Sequence, residues 1–158
     1  MTPETPALRA LARSDLDYRV VHTQRARSAQ ESAELQGIEL GQLLRTIVIR
    51  RAENDHVFVL VPGGRQIDWP KLRAHLGVSR LSLPDAEEAK AATGYERGAI
   101  TPFGSATVWP VIADASIPAI GTVAIGGGGH GINLHVDSDE LIAFLGADLG
   151  HVTRPEHG

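Results

Sequence analysis

Two adjacent stretches rich in β-branched residues constrain the fold more than any other feature of the sequence. Leu44–Arg51 reads LRTIVIRR, and His56–Val61 reads HVFVLV after a short polar turn. β-branched residues favour strands, and a near-continuous apolar run is typical of a strand that is buried on both faces. We therefore predict a β-hairpin whose second strand is central in a sheet and is stopped by the Pro-Gly-Gly sequence at 62–64.

Polar capping residues and terminal glycines predict short helices between further strands. Ser28 with Glu31 fits a capping box, and Gly37 suits the left-handed residue that ends a helix. The helices predicted are one ending near Ser14 or Asp15, Ser28–Gln36, Trp69–Leu76 capped by Asp68, Asp85–Ala92, and one from Asp137 to Gly146. The other strands predicted are Tyr18–His22, Thr107–Ala113, Thr122–Ile125 and Ile132–Val136. This order predicts one α+β domain over residues 1–150 and a polar, mobile tail over residues 151–158.

Composition excludes several classes of protein. No apolar run approaches the ~20 residues that cross a bilayer, and Met1–Ala10 has no apolar core typical of a signal peptide. The chain has no cysteine, which excludes disulfides and thiolate metal sites. The net charge of −4 gives no global attraction for a polyanion, so any nucleic-acid contact must rely on a local patch. We expect a cytoplasmic protein that does not bind membranes.

A glycine-rich segment is the first candidate site. Residues 126–131 read GGGGHG, and such a backbone can direct several amides at one ligand while His130 adds an imidazole. The alternative is a flexible hairpin loop. A P-loop is excluded because no Lys-Ser or Lys-Thr follows. His130, His135 and Asp137 also suggest metal ligands, but no further ligand has a recognisable spacing, so we expect no metal.

Three further positions have both a functional and an ordinary interpretation. Gly98–Gly104 reads GAITPFG, a stiff loop whose amides and Thr101 hydroxyl can hold a carbonyl or hydroxyl group, although most such loops are only turns. Arg45 opens an apolar strand, where it either holds a phosphate or reaches solvent. Asp114 follows an apolar strand and either contributes to a site or caps a turn.

Taken in order, these segments resemble the YbaK/prolyl-tRNA-synthetase-associated family of aminoacyl-tRNA deacylases. The matching segments over residues 18–146 include ELQGIELGQLLRT, VFVLVPGG, QIDWPKL, ATGYERGAITPFG, WPVIADASI and GGGGHG. The resemblance implies a mixed, mostly antiparallel sheet of about six to seven strands, partly barrel-like and flanked by short helices.

The resemblance implies a free-standing enzyme that hydrolyses the ester of a mischarged tRNA, commonly tRNA for proline carrying a small amino acid such as alanine or cysteine. It implies neither a metal nor another cofactor, and a partner in the 3′ CCA end of aminoacyl-tRNA. Prolyl-tRNA synthetase or an elongation factor is implied as a transient partner, and we expect a monomer. Arg45 stands where the family has a lysine, which leaves phosphate anchoring intact but removes a compact ammonium.

The resemblance assigns site residues by position. The catalytic set implied is His130, Arg45, Gly98 and Thr101, and the substrate-binding set is Thr46, Ala99, Ile100, Pro102, Phe103, Asp114, Gly127 and Gly128. Backbone amides near the two loops would stabilise an oxyanion, and His130 or the terminal ribose hydroxyl would orient the water. A small pocket shaped by Ala99, Ile100 and Val57–Val61 would select the amino acid by size.

Two other functions remain compatible with these residues. One is a module that binds an aminoacyl-tRNA end or a nucleotide without hydrolysing it, as the arginine at position 45 suggests. The other is an esterase or amidase for small molecules, which the amide-rich loops suggest. For tRNA binding we expect few phosphate contacts and a shallow salt dependence, limited to Arg45 and a set of basic neighbours: Arg50, Arg51, Arg65 and Lys71.

Overall fold

The computed structural model describes residues 5–157, in which short helices alternate with strands. The helices are α1 (Pro6–Ala12), α2 (Ala29–Gln36), α3 (Trp69–Leu76), α4 (Ala86–Thr93) and α5 (Ser138–Leu145). The strands are β1 (Tyr18–His22), β2 (Leu44–Ala52), β3 (Asp55–Pro62), β4 (Arg65–Ile67), β5 (Val111–Asp114), β6 (Thr122–Gly126), β7 (Ile132–Asp137), β8 (Asp148–Gly150) and β9 (Thr153–Pro155). No helix in this range is long and apolar enough to cross a membrane.

The helices begin and end where the local sequence predicts. The side chains of Ser28, Asp68, Asp85 and Asp137 each accept a hydrogen bond from the backbone N–H three residues on, which satisfies a free amide at the helix start. Glycines in the left-handed conformation end the same four helices. The predicted helix bounds are therefore confirmed to within a residue or two.

The described strands form three sheets, ordered β2-β3-β5-β8, β1-β7-β6 and β4-β9. β3 pairs antiparallel with β2 and parallel with β5, which confirms the predicted hairpin and its central second strand. The mixed α+β class is confirmed. A partly barrel-like arrangement is not, because none of these three sheets is closed.

Two stretches differ from the sequence prediction. The strand predicted from Thr107 begins only at Val111, because Pro110 has no N–H for a ladder and Val108 is exposed. Residues 151–157 are not a mobile tail. β9 pairs with β4, and Val152 is completely buried. The carboxylate of Asp114 holds this segment by accepting the backbone N–H groups of Val152 and Thr153 at 3.2 and 3.1 Å.

The four-stranded sheet separates two apolar clusters. Side chains alternate along β2, so Leu44 and Val48 pack in one cluster with Phe58, whereas Ile47 and Ile49 face the other. Burial of aliphatic side chains on both faces fixes the sheet, and it leaves β2 as an edge strand. The candidate site lies beside that edge.

Candidate active site

A cleft with two adjoining cavities lies beside the edge of β2. The larger has a volume of about 540 Å³, and Leu83, Pro84 and Ile100 contribute apolar walls to it. The smaller has a volume of about 280 Å³ and is lined by Arg25, His130 and the glycine-rich loop among others. Both cavities are lined by Ser32, Gly98, Ile100, Gly126 and Asn133. The cleft therefore combines an apolar compartment with a polar one, as a ligand with chemically different ends requires.

Gly98 and His130 meet where the two cavities join. Gly98 has a φ of +92°, and a Cβ placed on it would lie 3.3 Å from Cε1 of His130. Glycine adopts this backbone conformation without strain and leaves the space that the imidazole occupies. His130 is exposed, so its ring is accessible to a ligand in the polar cavity. The structure thus brings together the two loops that the sequence singled out.

The buried side chain of Tyr95 contacts both the loop of residues 98–104 and the glycine-rich loop. The hydroxyl of Tyr95 donates a hydrogen bond of 2.6 Å to the carbonyl oxygen of Phe103, and burial raises the pKa of Tyr95 to about 12. The same ring packs under the glycine run, where a Cβ placed on Gly128 would lie 2.9 Å from its Cε1. Gly128 therefore allows the loop backbone to pack closely against the Tyr95 ring, which gives this glycine a packing role beyond the flexibility of a hairpin loop.

The glycine-rich segment is a hairpin loop that joins β6 and β7. Gly127 donates its N–H to the carbonyl oxygen of Ile132, and Ile132 donates to that of Gly129. Within residues 5–157, the backbone N–H groups of Gly128, Gly129 and His130 have no hydrogen-bond partner. All three residues line the polar cavity, so these groups are candidate donors to a ligand there.

Several predicted site residues lie in the cleft. Gly98, Ala99, Ile100, Gly128 and His130 all line the polar cavity. Thr46 lines the apolar one, and its hydroxyl oxygen is buried without a partner in the described part of the chain.

Arg45 contributes to the wall of the apolar cavity, and its guanidinium group is only partly engaged, because Nε is buried without a partner in the described part of the chain. One Nη donates to the carbonyl oxygen of Arg65 at 2.5 Å and lies 3.7 Å from the carboxylate of Glu156. Because Arg45 and Thr46 are adjacent in a strand, their side chains point to opposite faces. Both residues nevertheless line the apolar cavity, with the Arg45 guanidinium and the Thr46 hydroxyl on opposite faces of β2.

The remaining predicted positions do not line the cleft in the described structure. Thr101 is completely buried, and Gly127 packs against Ile132. Pro102 and Phe103 line a separate groove on the far side of their loop, because the chain turns away after Ile100.

Asp114 lies in a different place and has a structural role. Burial raises the pKa of its carboxyl group, but hydrogen bonds from Ser116, Thr153 and Val152 outweigh burial and lower the pKa below its usual value. The carboxylate thereby ties the end of β5 to the C-terminal segment, which agrees with the capping interpretation.

Val57–Val61, expected to shape the pocket, lie in the buried centre of the sheet and do not line the apolar cavity. That cavity is also larger than the small pocket that we predicted. The walls come instead from segments without a sequence signature, including Leu83 and Pro84.

His135 is part of the packing between β1, β7 and α2. Nε2 lies 2.9 Å from Oε1 of Gln36, and Nδ1 lies 3.3 Å from an Nη of Arg19. Burial lowers the pKa of His135, and the positive charge of Arg19 lowers it further. The neutral ring that donates from Nε2 satisfies both neighbours. No group of three or more histidine, aspartate or glutamate side chains within residues 5–157 is arranged to hold a metal ion.

The structure adds cleft residues that the sequence analysis missed, among them Arg25, Ser32, Arg97 and Asn133. The sequence could have indicated Asn133, because a polar residue inside an apolar strand needs a hydrogen-bond partner. Its side-chain amide donates to the carbonyl oxygen of Val21 at 3.1 Å. The basic residues expected to contact phosphate are engaged in part elsewhere, since Arg50 pairs with Glu88 and Arg51 with Asp55.

Comparison with known proteins assigns the segments that form the cleft to a known domain family. The family model for the aminoacyl-tRNA editing domain matches residues 23–144, which contain the cleft-forming loops. The chain belongs to the aminoacyl-tRNA editing domain family. Its YbaK-like editing domain is of the kind found in trans-editing deacylases.

Individual relatives support the same assignment. A candidate Cys-tRNA(Pro)/Cys-tRNA(Cys) deacylase, EbsC of Enterococcus faecalis, is 23% identical over 129 residues, which cover 82% of this chain and 79% of that protein. The proline–tRNA ligase of Thermosipho melanesiensis is 29% identical over 76% of this chain, which spans only 22% of the ligase. The crystal structure of a candidate trans-editing enzyme for prolyl-tRNA synthetase superposes with a TM-score of 0.80 at 27% identity, covering 87% of each chain.

Proposed function

We propose that this editing-domain protein is a free-standing aminoacyl-tRNA deacylase that hydrolyses the ester of mischarged tRNA, with tRNA for proline carrying alanine or cysteine as its substrate. The observation that carries the proposal is the divided cleft in which Gly98 contacts His130. An apolar cavity suits the aminoacyl group, and the adjoining polar cavity suits the terminal nucleotide. The names of the relatives support the same class of substrate.

The reaction needs little from the protein beyond positioning. Water attacks the ester carbonyl carbon, the bond to the ribose oxygen breaks, and the proton from water passes to that oxygen. Unpaired N–H groups at Gly128, Gly129 and His130 supply donors for the developing oxyanion, each worth roughly 2.7–4 kcal/mol when well placed. Either His130 or the terminal ribose hydroxyl orients the water. No step in this scheme requires a metal ion.

Basic residues beside the polar cavity suit the phosphates of the CCA end. Arg25 and Arg27 both line that cavity. Arg27 is held by Glu31 at 3.2 Å, whereas Arg25 has no ion-pair partner in the described residues. With a net charge of −4, few phosphate contacts are expected, so binding should depend weakly on salt. Such contacts would occur in the cytoplasm, where tRNA is charged.

Deacylation assays with a panel of mischarged tRNAs test the proposal. Tested substrates include proline tRNA carrying alanine, cysteine or serine, each with purified wild-type protein and with His130→Ala. The matched control is His151→Ala, because His151 is also exposed but lines neither cavity. We expect hydrolysis of at least one substrate, reduced by His130→Ala and unchanged by His151→Ala. Inactivity of folded protein across the panel would reject the proposal.

A second candidate function is a module that binds aminoacyl-tRNA without hydrolysing it. The observation that favours it is the guanidinium of Arg45, which contacts Arg65 and Glu156. Under this alternative, wild-type protein binds but does not turn over substrate. Turnover gained in Arg45→Lys would then indicate an editing enzyme that has lost its activity, and unchanged binding without turnover would support the module.

A further inference from the structure

The edge of β2 is paired at both ends and open in the middle. At one end a parallel bridge joins Leu43 to Ala124 of β6. At the other end, Arg50 and Ser82 exchange two backbone hydrogen bonds of 2.8 and 3.1 Å. The stretch between these bridges borders the apolar cavity. The cavity therefore coincides with a gap in the pairing of an otherwise covered strand edge.

The register identifies which backbone groups face the gap. Thr46 and Val48 lie opposite Leu60 and Phe58 of β3. Phe58 donates its N–H to the carbonyl oxygen of Pro110, on the side of β3 away from β2. In an antiparallel pair the residues directly opposite one another alternate between bonded and non-bonded pairs, so Thr46 and Val48 direct their N–H and C=O groups outward.

The bonds of Arg50 lead to the same conclusion independently. Arg50 bonds outward to Ser82, and residues two and four positions earlier in a regular strand share that direction. The register shift in β2 begins only after Arg50, so Thr46 and Val48 lie in its regular part. Within residues 5–157, no ladder and no isolated bridge pairs their outward backbone groups. The hydroxyl oxygen of Thr46 is also buried there without a partner.

An open strand edge binds ligands that carry a donor and an acceptor in the spacing of a peptide. An α-aminoacyl ester meets this description, because its ammonium group donates hydrogen bonds and its ester carbonyl accepts one. We propose that the aminoacyl group lies along β2 as one residue of an added strand. Its ammonium donates to a backbone carbonyl of Thr46 or Val48, and its carbonyl oxygen accepts from a backbone N–H of the same pair.

This inference rests on the proposed function and deepens it, because it names the part of the substrate that is recognised. The main-chain atoms of the amino acid form hydrogen bonds with β2, while its side chain packs against apolar walls that include Leu83 and Ile100. A free ammonium group is then required for binding, and apolar side chains of different shape are accepted. Blocking the ammonium removes its charge and adds bulk at the strand edge.

Amide exchange measured by NMR tests the contact directly. The probe is the alanyl amide of 3′-amino-3′-deoxyadenosine, which resembles the tRNA end and is not hydrolysed. In free protein we expect fast exchange at Thr46 and Val48 but slow exchange at Ile47 and Ile49, whose N–H groups face β3. The probe should slow exchange at Thr46 or Val48. Probe-induced shifts at Gly98 and His130 without that protection would overturn the inference.

Hydrolysis of a blocked substrate separates this inference from the proposed function. Proline tRNA carrying alanine and the same tRNA carrying N-acetylalanine are compared as substrates of the wild-type protein. We expect N-acetylation to lower kcat/KM about tenfold or more, as the loss of a charge-assisted hydrogen bond implies. Equal rates would overturn the inference and leave the deacylase function intact. Failure to hydrolyse any substrate of the panel, with no probe-induced protection, would reject both.

Discussion

The imidazole of His130 lies against the α-carbon side of Gly98, so that a single added methyl group would stand 3.3 Å from its Cε1. Two loops separated by about thirty residues of sequence thus approach so closely that a methyl group between them would require a shift of a few tenths of an ångström. This contact joins the apolar and polar cavities of the cleft. Under the proposed function, the ester bond between the amino acid and the terminal nucleotide lies at this place.

Replacing Gly98 with alanine should impair deacylation. The φ of +92° strains any residue with a Cβ, and the new methyl group crowds His130. Strain of this kind, about 1–3 kcal/mol, is relieved when the loop moves away from His130, and a displaced loop should lower kcat/KM roughly tenfold or more. The control is Gly77→Ala, because Gly77 also has a positive φ of 68° but nothing lies near its Cβ position. Comparable loss of activity in both variants, measured on folded protein, would contradict a local role.

Removing the hydroxyl of Tyr95 should loosen the loop that carries Gly98. Tyr95→Phe deletes the bond to Phe103 and leaves a buried carbonyl oxygen without that donor, which costs about 1–3 kcal/mol. We expect a lower free energy of unfolding in urea and reduced deacylase activity. Tyr18→Phe serves as the control, since no partner is found for the Tyr18 hydroxyl within residues 5–157. A Tyr95→Phe protein as stable as wild type would refute this support.

Neutralising Arg25 should weaken tRNA binding without affecting the fold. Arg25 is exposed at the polar cavity, where it suits a phosphate contact. Loss of one such contact lowers the slope of log K against log salt by about one. Binding of tRNA to Arg25→Ala is measured at several salt concentrations beside Arg80→Ala, an exposed arginine that lines neither cavity. An equal loss of tRNA affinity and of salt dependence in the two variants would indicate nonspecific electrostatic attraction.

Acid should destabilise the protein through His135. Burial and Arg19 lower the pKa of His135 in the folded state, so the unfolded chain binds the proton more tightly. The stability contributed by neutral His135 is therefore complete above its ordinary pKa of 6.5 and is lost as pH falls.

The measurement is Tm at about pH 8 and about pH 5, for wild type and His135→Gln. The glutamine variant should show a smaller decrease in Tm on acidification than wild type. His157→Gln, at an exposed position, should behave as wild type does. An identical pH dependence in all three proteins would exclude His135 as the titrating group.

Local sequence signals predict the helices correctly. The elements that the sequence does not predict are those that depend on non-local contacts. Ser28 and Asp137 cap helices through bonds to residues three positions away, which a sequence displays directly. β4 and β9 are only three residues long and exist because distant segments pair, so neither carries a pattern. For the same reason the sequence predicts a tail at the C-terminus, whereas in the structure Val152 is buried.

The arrangement of the candidate site could also be predicted only in part, because it depends on contacts between segments far apart in sequence. The sequence indicated that Gly98 and His130 belong to functional loops, and the structure brings them into contact. Alternation along β2 implies that Arg45 and Thr46 face opposite ways, but only tertiary packing shows that the Arg45 guanidinium lies beside Glu156. The walls of the apolar cavity come from segments far apart in sequence, which no local pattern could have joined.

The most direct test of the central claim is the rate at which purified protein releases alanine or cysteine from charged proline tRNA, compared with spontaneous hydrolysis and with Gly98→Ala. The account predicts clear acceleration by wild-type protein on at least one of these substrates and a marked loss in the glycine variant. Rates equal to spontaneous hydrolysis with folded wild-type protein, or full activity in Gly98→Ala, would contradict it.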